Sequence, residues 1–358
     1  MPRARVLRQR LATQGVSQPA FDTPQSAVGF LGAVQAQEFA DARWSVGQRV
    51  RQCRDNDVLA AFDTGHILRT HVLRPTWHFV CPADIRWLLE ATARRVRALN
   101  APYERSLGLD AAVLDRSHAL LVEHLSGGRH LTRPQVAGVL AQAGIEASGI
   151  RLAYLMMRAE LDALVCSGPL QGRQHTYALV QERAPQALVL DHDSAVVQLV
   201  RRFFTGHGPA SLQDLVRWSS LPRTEARSAL EEVAPELASG VVDGAELWWD
   251  AGAPTPARTT EAAYLLPGYD EVFAAYPDVG FGHDVSPHGM AVDARFYRPL
   301  VVGLDLVGFW RRNITPGGIR VETRDVVPLT SSQRARLHEA ARRYGEFASR
   351  QVTVVGLA

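Results

Sequence analysis

The stretch ILRTHVLRPTWHFV at residues 67–80 is dense in β-branched and aromatic side chains and is interrupted only at Arg74-Pro75. Proline has no backbone N–H to give to a sheet, so the spacing predicts two short strands, ILRTHVL and TWHFV, on either side of that break. Upstream, Asp55-Asn56-Asp57 opens a helix over Val58–Thr64 that Gly65 stops. Farther back, Thr23-Pro24 supplies a capping oxygen and a first-turn proline for a helix expected to run to about Val34, with Ala27, Phe30, Leu31 and Val34 on its buried face. Val6–Leu11 begins the unit. Helices followed by a small sheet describe a winged helix.

The same order recurs twice. Residues 111–182 read as a helix Ala111–Leu125, a helix QVAGVLAQ capped at Thr132-Arg133-Pro134, a helix Ile150–Leu161, and two strands, Leu164–Gly168 and His175–Val180. Residues 194–250 read as VVQLVRRFF, LQDLVRWS and EARSALEEV, closed by a hairpin VVDGAELWWD on Asp243-Gly244. The repetition is architectural, since no identical residues tie the copies together. Pro254–Arg258 reads as a linker, and beyond it strands and one late helix, QRARLHEAARRYGEFA, make a C-terminal β-rich unit ending in QVTVVGL. The expected class is α+β: winged-helix units at 1–105, 106–190 and 191–252, then a C-terminal unit at 259–358, together forming a concave channel for DNA.

At 358 residues and 46% hydrophobic content, the chain can bury a substantial core. No run approaches the roughly 20 apolar residues of a membrane helix, and MPRARVLRQRLATQG lacks the apolar segment of a secretory signal, so a cytoplasmic protein is expected. Cys53, Cys81 and Cys166 are too scattered for a disulfide framework or a zinc site; neither metal nor cofactor is expected. His78 and Cys81 have a ligand-like spacing, but a lone pair of that kind is far more often packing. All 39 basic residues are arginine, which excludes any mechanism built on a lysine Schiff base. The net charge of +2 conceals an asymmetry, with 15 arginines against 9 acids in residues 1–105 and 24 against 28 in the rest. A basic N-terminal region suits phosphates, although arginine-rich helices are often merely solvated.

Four motifs carry more specific information. LGAVQAQ at 31–37, RPTWHFV at 74–80, LLPGYDEVF at 265–273 and VGFWRR at 307–312 stand in the same order as in the AlkZ/YcaQ family of winged-helix DNA glycosylases, which the chain resembles over nearly its whole length. The family's catalytic Gln-x-Gln motif falls on Gln35 and Gln37. Relatives of the YcaQ-like branch have Asp at the second position, so Gln37 resembles the AlkZ branch. That branch is associated with excision of bulky alkylated purines, including antibiotic-made interstrand crosslinks, and hence with base excision repair of alkylation damage and self-resistance. Without its flanks, a Gln-x-Gln pair is ordinarily two solvated side chains. On an ideal helix, residues two apart point about 200° away from one another, whereas in extended backbone they share a side. The helix should therefore stop near Val34 and leave the motif in a turn or extended strip.

The chemistry implied by the resemblance is modest. Alkylation at N7 or N3 makes a purine cationic and a good leaving group, so the enzyme need only place a water and stabilise the oxocarbenium-like charge, which glutamine carbonyls can do. Lacking lysine, the protein is expected to be monofunctional, hydrolysing the bond to leave an abasic site. Arg43, Arg69, Arg74, Arg311 and Arg312 flank the matching motifs and are expected contacts for duplex DNA, with solvation as the ordinary alternative. His78 is a further DNA-binding candidate or a structural histidine. Trp77, Trp218, Trp248 and Trp249 fit core positions better than base-stacking platforms, and the segment 305–314 corresponds to a family hairpin that approaches the DNA groove. Asp270 and Trp310 receive no chemical step, tight-turn packing being the default for Asp270. The expected working form is a monomer. A noncatalytic winged-helix regulator, or a homologue that only sequesters damaged DNA, fits the same basic surface.

Overall fold

The computed structural model describes residues 2–257, 261–276 and 298–357. Arg258, the last residue of the expected linker, lies outside the described residues. The chain opens with α1 (Arg3–Thr13), α2 (Pro24–Leu31), β1 (Val34–Gln35), α3 (Phe39–Gly47), α4 (Asp55–Asp63), β2 (Leu68–His71) and β3 (Trp77–Val80). Thr23 caps α2 through a reciprocal pair: its hydroxyl accepts from Ser26 N at 3.1 Å, and Ser26 Oγ accepts from Thr23 N at 3.1 Å. Gly32, at φ +80°, ends the helix three residues before Val34, because that backbone geometry is open to glycine and strained for other residues. Val34 thus belongs to strand rather than helix and pairs with Phe79, giving a sheet of order β1-β3-β2.

A long helix, α5 (Ile85–Ser106), follows, then α6 (Ala111–Leu125), β4 (Leu131–Thr132), α7 (Arg133–Gln142), α8 (Gly149–Leu161), β5 (Val165–Ser167), β6 (Thr176–Leu179) and the single turn α9 (Val180–Arg183). The strands form a second sheet of order β4-β6-β5. The third passage contains α10 (His192–His207), α11 (Leu212–Ser219), α12 (Arg223–Val233) and the hairpin β7 (Leu237–Val242) with β8 (Ala245–Asp250), turning on Asp243-Gly244. The order of helices and small sheets expected from the sequence is present three times. The sequence reading omitted α3 and α5. In α5, Arg94, Arg95, Arg97 and an internal Pro102 obscure a stripe whose Ile85, Leu88, Leu89 and Val96 are buried.

The C-terminal part contributes β9 (Ala263–Leu265), the short α13 (Glu271–Ala274), β10 (Arg298–Val302), β11 (Asp305–Thr315), β12 (Gly318–Asp325), α14 (Ser331–Ala348) and β13 (Val352–Leu357). Its sheet runs β13-β12-β11-β10-β9, antiparallel except for the β12/β13 pair. β11 and β12 form the long hairpin foreseen around 305–314. Among the described residues no helix is long and apolar enough to cross a membrane.

The two largest cores join parts that lie far apart in sequence. One packs Trp87 of α5, Phe203 and Phe204 of α10 and Trp218 of α11. The other joins the first helices to the C-terminal sheet through Trp44, Phe62, Phe79, Trp310 and Tyr344. Gly47 lies where α14 crosses α3: a Cβ there would sit 2.1 Å from the Phe347 ring, so the crossing depends on a residue without a side chain. One indole anchors the junction, Trp44 Nε1 donating to the Leu265 carbonyl at 2.7 Å, and a second, Trp310 Nε1, donates to the neighbouring Leu266 carbonyl at 2.8 Å from within the C-terminal sheet. Asp270 completes it. Fully buried, it accepts both guanidinium nitrogens of Arg49, at 2.7 and 2.8 Å, with Ser45 Oγ at 2.9 Å and Gln48 Nε2 at 2.8 Å. Asp270 thus fastens the C-terminal part onto α3 and the residues just after it, whereas Trp310 ties two segments within the C-terminal part; turn packing is only a small part of what Asp270 does.

Candidate active site at the Gln-x-Gln strip

Once Gly32 has stopped α2, the chain passes through β1 in extended form, and burial alternates with a period of two. Val34 and Ala36 are buried, Gln35 is half-buried and Gln37 is exposed. Three contacts fix the strip on its inner side. Ala36 N donates to the Trp77 carbonyl at 2.7 Å, the Ala36 carbonyl accepts from Arg69 Nε at 3.0 Å, and Gln35 N donates to Glu271 Oε1 at 2.9 Å. The backbone is thereby held while the side chains stay uncommitted. Among the described residues no protein group hydrogen-bonds the Gln35 carboxamide, and that of Gln37 receives only a long contact from Trp77 N, 3.5 Å from its oxygen.

Glu271 was missed by the sequence reading, although it stands inside the LLPGYDEVF motif beside Asp270. It is 2% exposed, and its second oxygen accepts Trp218 Nε1 at 2.8 Å and lies 3.5 Å from His207 Nε2. Burial by itself would raise its pKa. His207, Arg74 and the Gln35 N–H outweigh that and hold the carboxyl at about 2, so a negative charge sits directly behind the strip. The sequence offered two adjacent acids, and only their partners separate them: Asp270 turns to Arg49, whereas Glu271 turns to Gln35, 236 positions earlier.

His78 stands opposite Gln35 in the β1/β3 register. Its Nδ1 contacts the Thr76 carbonyl at 2.9 Å; a carbonyl only accepts, so Nδ1 carries the proton, and Nε2 is the acceptor for Arg74 Nη2 at 3.4 Å. Complete burial and then Arg74 depress its pKa to about 3, which keeps the ring neutral. Cys81 is engaged separately, by the Gln25 carbonyl at 3.3 Å, so His78 and Cys81 do not act as a pair. No group of three or more metal-ligating side chains occurs among the described residues.

The remaining predicted residues are placed as follows. Arg69 is buried, its guanidinium 4.3 Å over the Trp77 ring, and burial lowers its pKa to about 10. Arg74 is half-buried beside His78, its pKa also lowered by burial. Arg43 pairs with Asp55 at 3.2 Å and lies over the Phe39 ring. Arg311 forms an ion pair with Glu322, and Arg312 reaches Asp41 at 2.8 Å and the Tyr344 hydroxyl at 2.9 Å. Arg69, Arg74 and His78 therefore gather at the strip. Arg311 instead pairs across the two strands of the β11/β12 hairpin, and Arg312 braces that hairpin to α3 and α14. Of the tryptophans, Trp218 is fully buried, while Trp77, Trp248 and Trp249 are half-buried.

The DNA glycosylase AlkZ-like family matches residues 28–347, a span that contains the strip and the C-terminal hairpin. The chain belongs to this AlkZ-like family. A curated relative from Streptomyces sahachiroi, named an interstrand DNA cross-link repair glycosylase, is 24% identical over 230 residues, an alignment that spans 61% of each chain. The solved structure of the Streptomyces sahachiroi DNA glycosylase AlkZ superposes with a TM-score of 0.81 at 19% identity, covering 99% of this chain and all of that one. The AlkZ fold is thus shared over essentially the full length.

Proposed function

We propose that this protein is a monofunctional DNA glycosylase that hydrolyses the N-glycosidic bond of N7- or N3-alkylated purines in duplex DNA. The observation that carries the reading is the non-helical Gln35-Ala36-Gln37 strip, which leaves β1 for a bend. Its backbone is fastened by Glu271, Trp77 and Arg69, while its carboxamides have no short hydrogen bond to the protein among the described residues. In the reaction the bond from the anomeric carbon to the base nitrogen breaks, and its electron pair neutralises the cationic base. Water held by Gln35 and Gln37 adds its oxygen to the sugar and releases a proton to solvent. The glutamine carbonyl dipoles stabilise the positive charge that passes to the sugar, with the Glu271 carboxylate adding a fixed negative charge behind them.

On the same reading, the three helix-and-sheet passages, bounded at 1–105, 106–190 and 191–252, are winged-helix units that line a concave channel with the C-terminal unit at 259–358. Arg43, Arg69, Arg74, His78, Arg311 and Arg312 face DNA or hold its contacts in place. The protein works as a monomer, and the lesions extend to bulky adducts and interstrand crosslinks, which fits self-resistance to a DNA-alkylating natural product. The test is single-turnover incubation with a duplex carrying one N7-methylguanine. Free 7-methylguanine should be released, and the strand should break only after alkali treatment. Strand breakage without alkali would overturn the monofunctional assignment, and absence of free base would leave only DNA binding.

A further inference from the structure

A cavity of about 480 Å3 opens next to Gln37, between the first sheet and the second one, and it involves residues that the mechanism above leaves unused. Gln37, Phe39 and Trp77 line it from the first unit, and Tyr177 and His175 from the second. Its volume falls within the roughly 300–1,000 Å3 of sites that enclose drug-sized molecules, more room than a bare methylated base requires. A larger cavity between α3 and α14, of about 1020 Å3, includes neither Gln35 nor Gln37 in its lining.

The chemistry of the walls is specific. The His175 ring is gripped edge-on by Phe39 and Phe62, at centroid distances of 4.6 and 6.1 Å, and its buried Nδ1 has no hydrogen-bond partner among the described residues. Burial, then Arg69 and Arg43, lower its pKa to about 4, so it offers a neutral imidazole. Burial pushes the Tyr177 phenol up to about 12, keeping it protonated. The Glu160 carboxylate is already engaged by Trp77 Nε1 at 3.3 Å and by His71 Nδ1. Around these groups Arg69, Arg133 and Arg173 leave an excess of positive charge.

We infer that this cavity receives the alkylated purine, with its substituent, after the nucleotide has rotated out of the duplex, and that the cavity's size sets how bulky an adduct the protein accepts. The inference rests on the excision proposed above. A base inside a duplex stack has to be extruded before chemistry can reach its glycosidic bond from below, and extrusion needs a receiving site next to the catalytic groups. The cationic surroundings suit a departing base. An N7-alkylpurine is positively charged while attached and neutral once released, so repulsion present in the bound substrate is relieved as the bond breaks, lowering the barrier.

The test fills the cavity from its exposed rim. Gln174→Trp places an indole where Gln174 lines the opening, at a side chain that makes no hydrogen bond. Single-turnover excision is followed on duplexes carrying N7-methylguanine or N7-benzylguanine. Gln174→Trp should slow release of the benzyl base at least about tenfold more than release of the methyl base, the scale on which steric fit in a pocket discriminates substrates. His175→Phe, which keeps the aromatic edge and removes the nitrogen, should slow both substrates with an unchanged melting temperature. Equal slowing of both substrates by Gln174→Trp, or wild-type rates in both variants, overturns the assignment. If the wild type releases neither base, the proposed activity fails, and the cavity is judged by calorimetry with free 7-benzylguanine. The wild type must then bind it and Gln174→Trp must not.

Discussion

Replacing Glu271 by glutamine removes the negative charge behind the Gln-x-Gln strip while keeping the shape of the side chain. The native carboxyl is held at about 2 against an ordinary 4.5, so its surroundings favour the charged form over the neutral one by about 3 kcal/mol. A glutamine resembles the neutral form and has a further defect. The two donors now served, Gln35 N at 2.9 Å and Trp218 Nε1 at 2.8 Å, would compete for one oxygen, leaving a buried N–H unsatisfied at about 1–3 kcal/mol. The two contributions overlap, so Glu271→Gln should cost about 3 kcal/mol in denaturant unfolding at pH 7. Because the folded pKa is depressed, this stabilisation is complete above the unfolded value of 4.5 and is lost as pH falls towards 2. The gap between wild type and variant should therefore be full at pH 7 and close progressively in acid. Excision should also slow by about 10- to 100-fold, since Gln35 loses its anchor and the site its fixed charge. Equal unfolding midpoints at pH 7, or a gap that widens on acidification, would refute the electrostatic account.

Other outcomes are expected from the same geometry. Gln35→Ala and Gln37→Ala should leave stability within about 0.5 kcal/mol, as for other side chains without internal partners, yet slow single-turnover excision by about 10- to 1000-fold; wild-type rates in both would remove the pair from catalysis. Gln37→Asp, which supplies a carboxylate at that position, should retain activity on small adducts. Arg49→Ala strands the buried Asp270 carboxylate and should cost about 3–5 kcal/mol, read by chemical denaturation. Binding of duplex DNA should weaken with salt at a log–log slope of about −4, from four or more phosphate contacts at about 0.9 each, and a flat dependence would exclude duplex DNA as the partner.

Local physical chemistry, legible in the sequence, determined much of this protein. Caps such as Thr23-Pro24 and Thr132-Arg133-Pro134, turns such as Asp243-Gly244, and the β-branched run on either side of Arg74-Pro75 act within a few residues. The helices and strands they announce are present close to where they are expected. The argument that Gln35 and Gln37 cannot share a side on a helix is equally local: α2 stops at Leu31, Gln35 lies on β1, and Gln37 follows at a bend before α3. Helix α5 escaped because its charged and proline-bearing face masks an apolar stripe, which α8 and α10 bury in the fold. What lay beyond the sequence was long-range pairing. Their places beside the matching motifs gathered Arg43, Arg69, Arg74, Arg311 and Arg312 as equivalent DNA contacts, but the tertiary structure gave each a different neighbour. Asp270 and Glu271 are adjacent and chemically alike, yet one locks two parts of the chain together and the other lies behind the strip. That distinction was set by which side chains folding brings within 3 Å, Arg49 for one and Gln35 N with Trp218 for the other, and no local pattern encodes contacts between residues more than 50 positions apart.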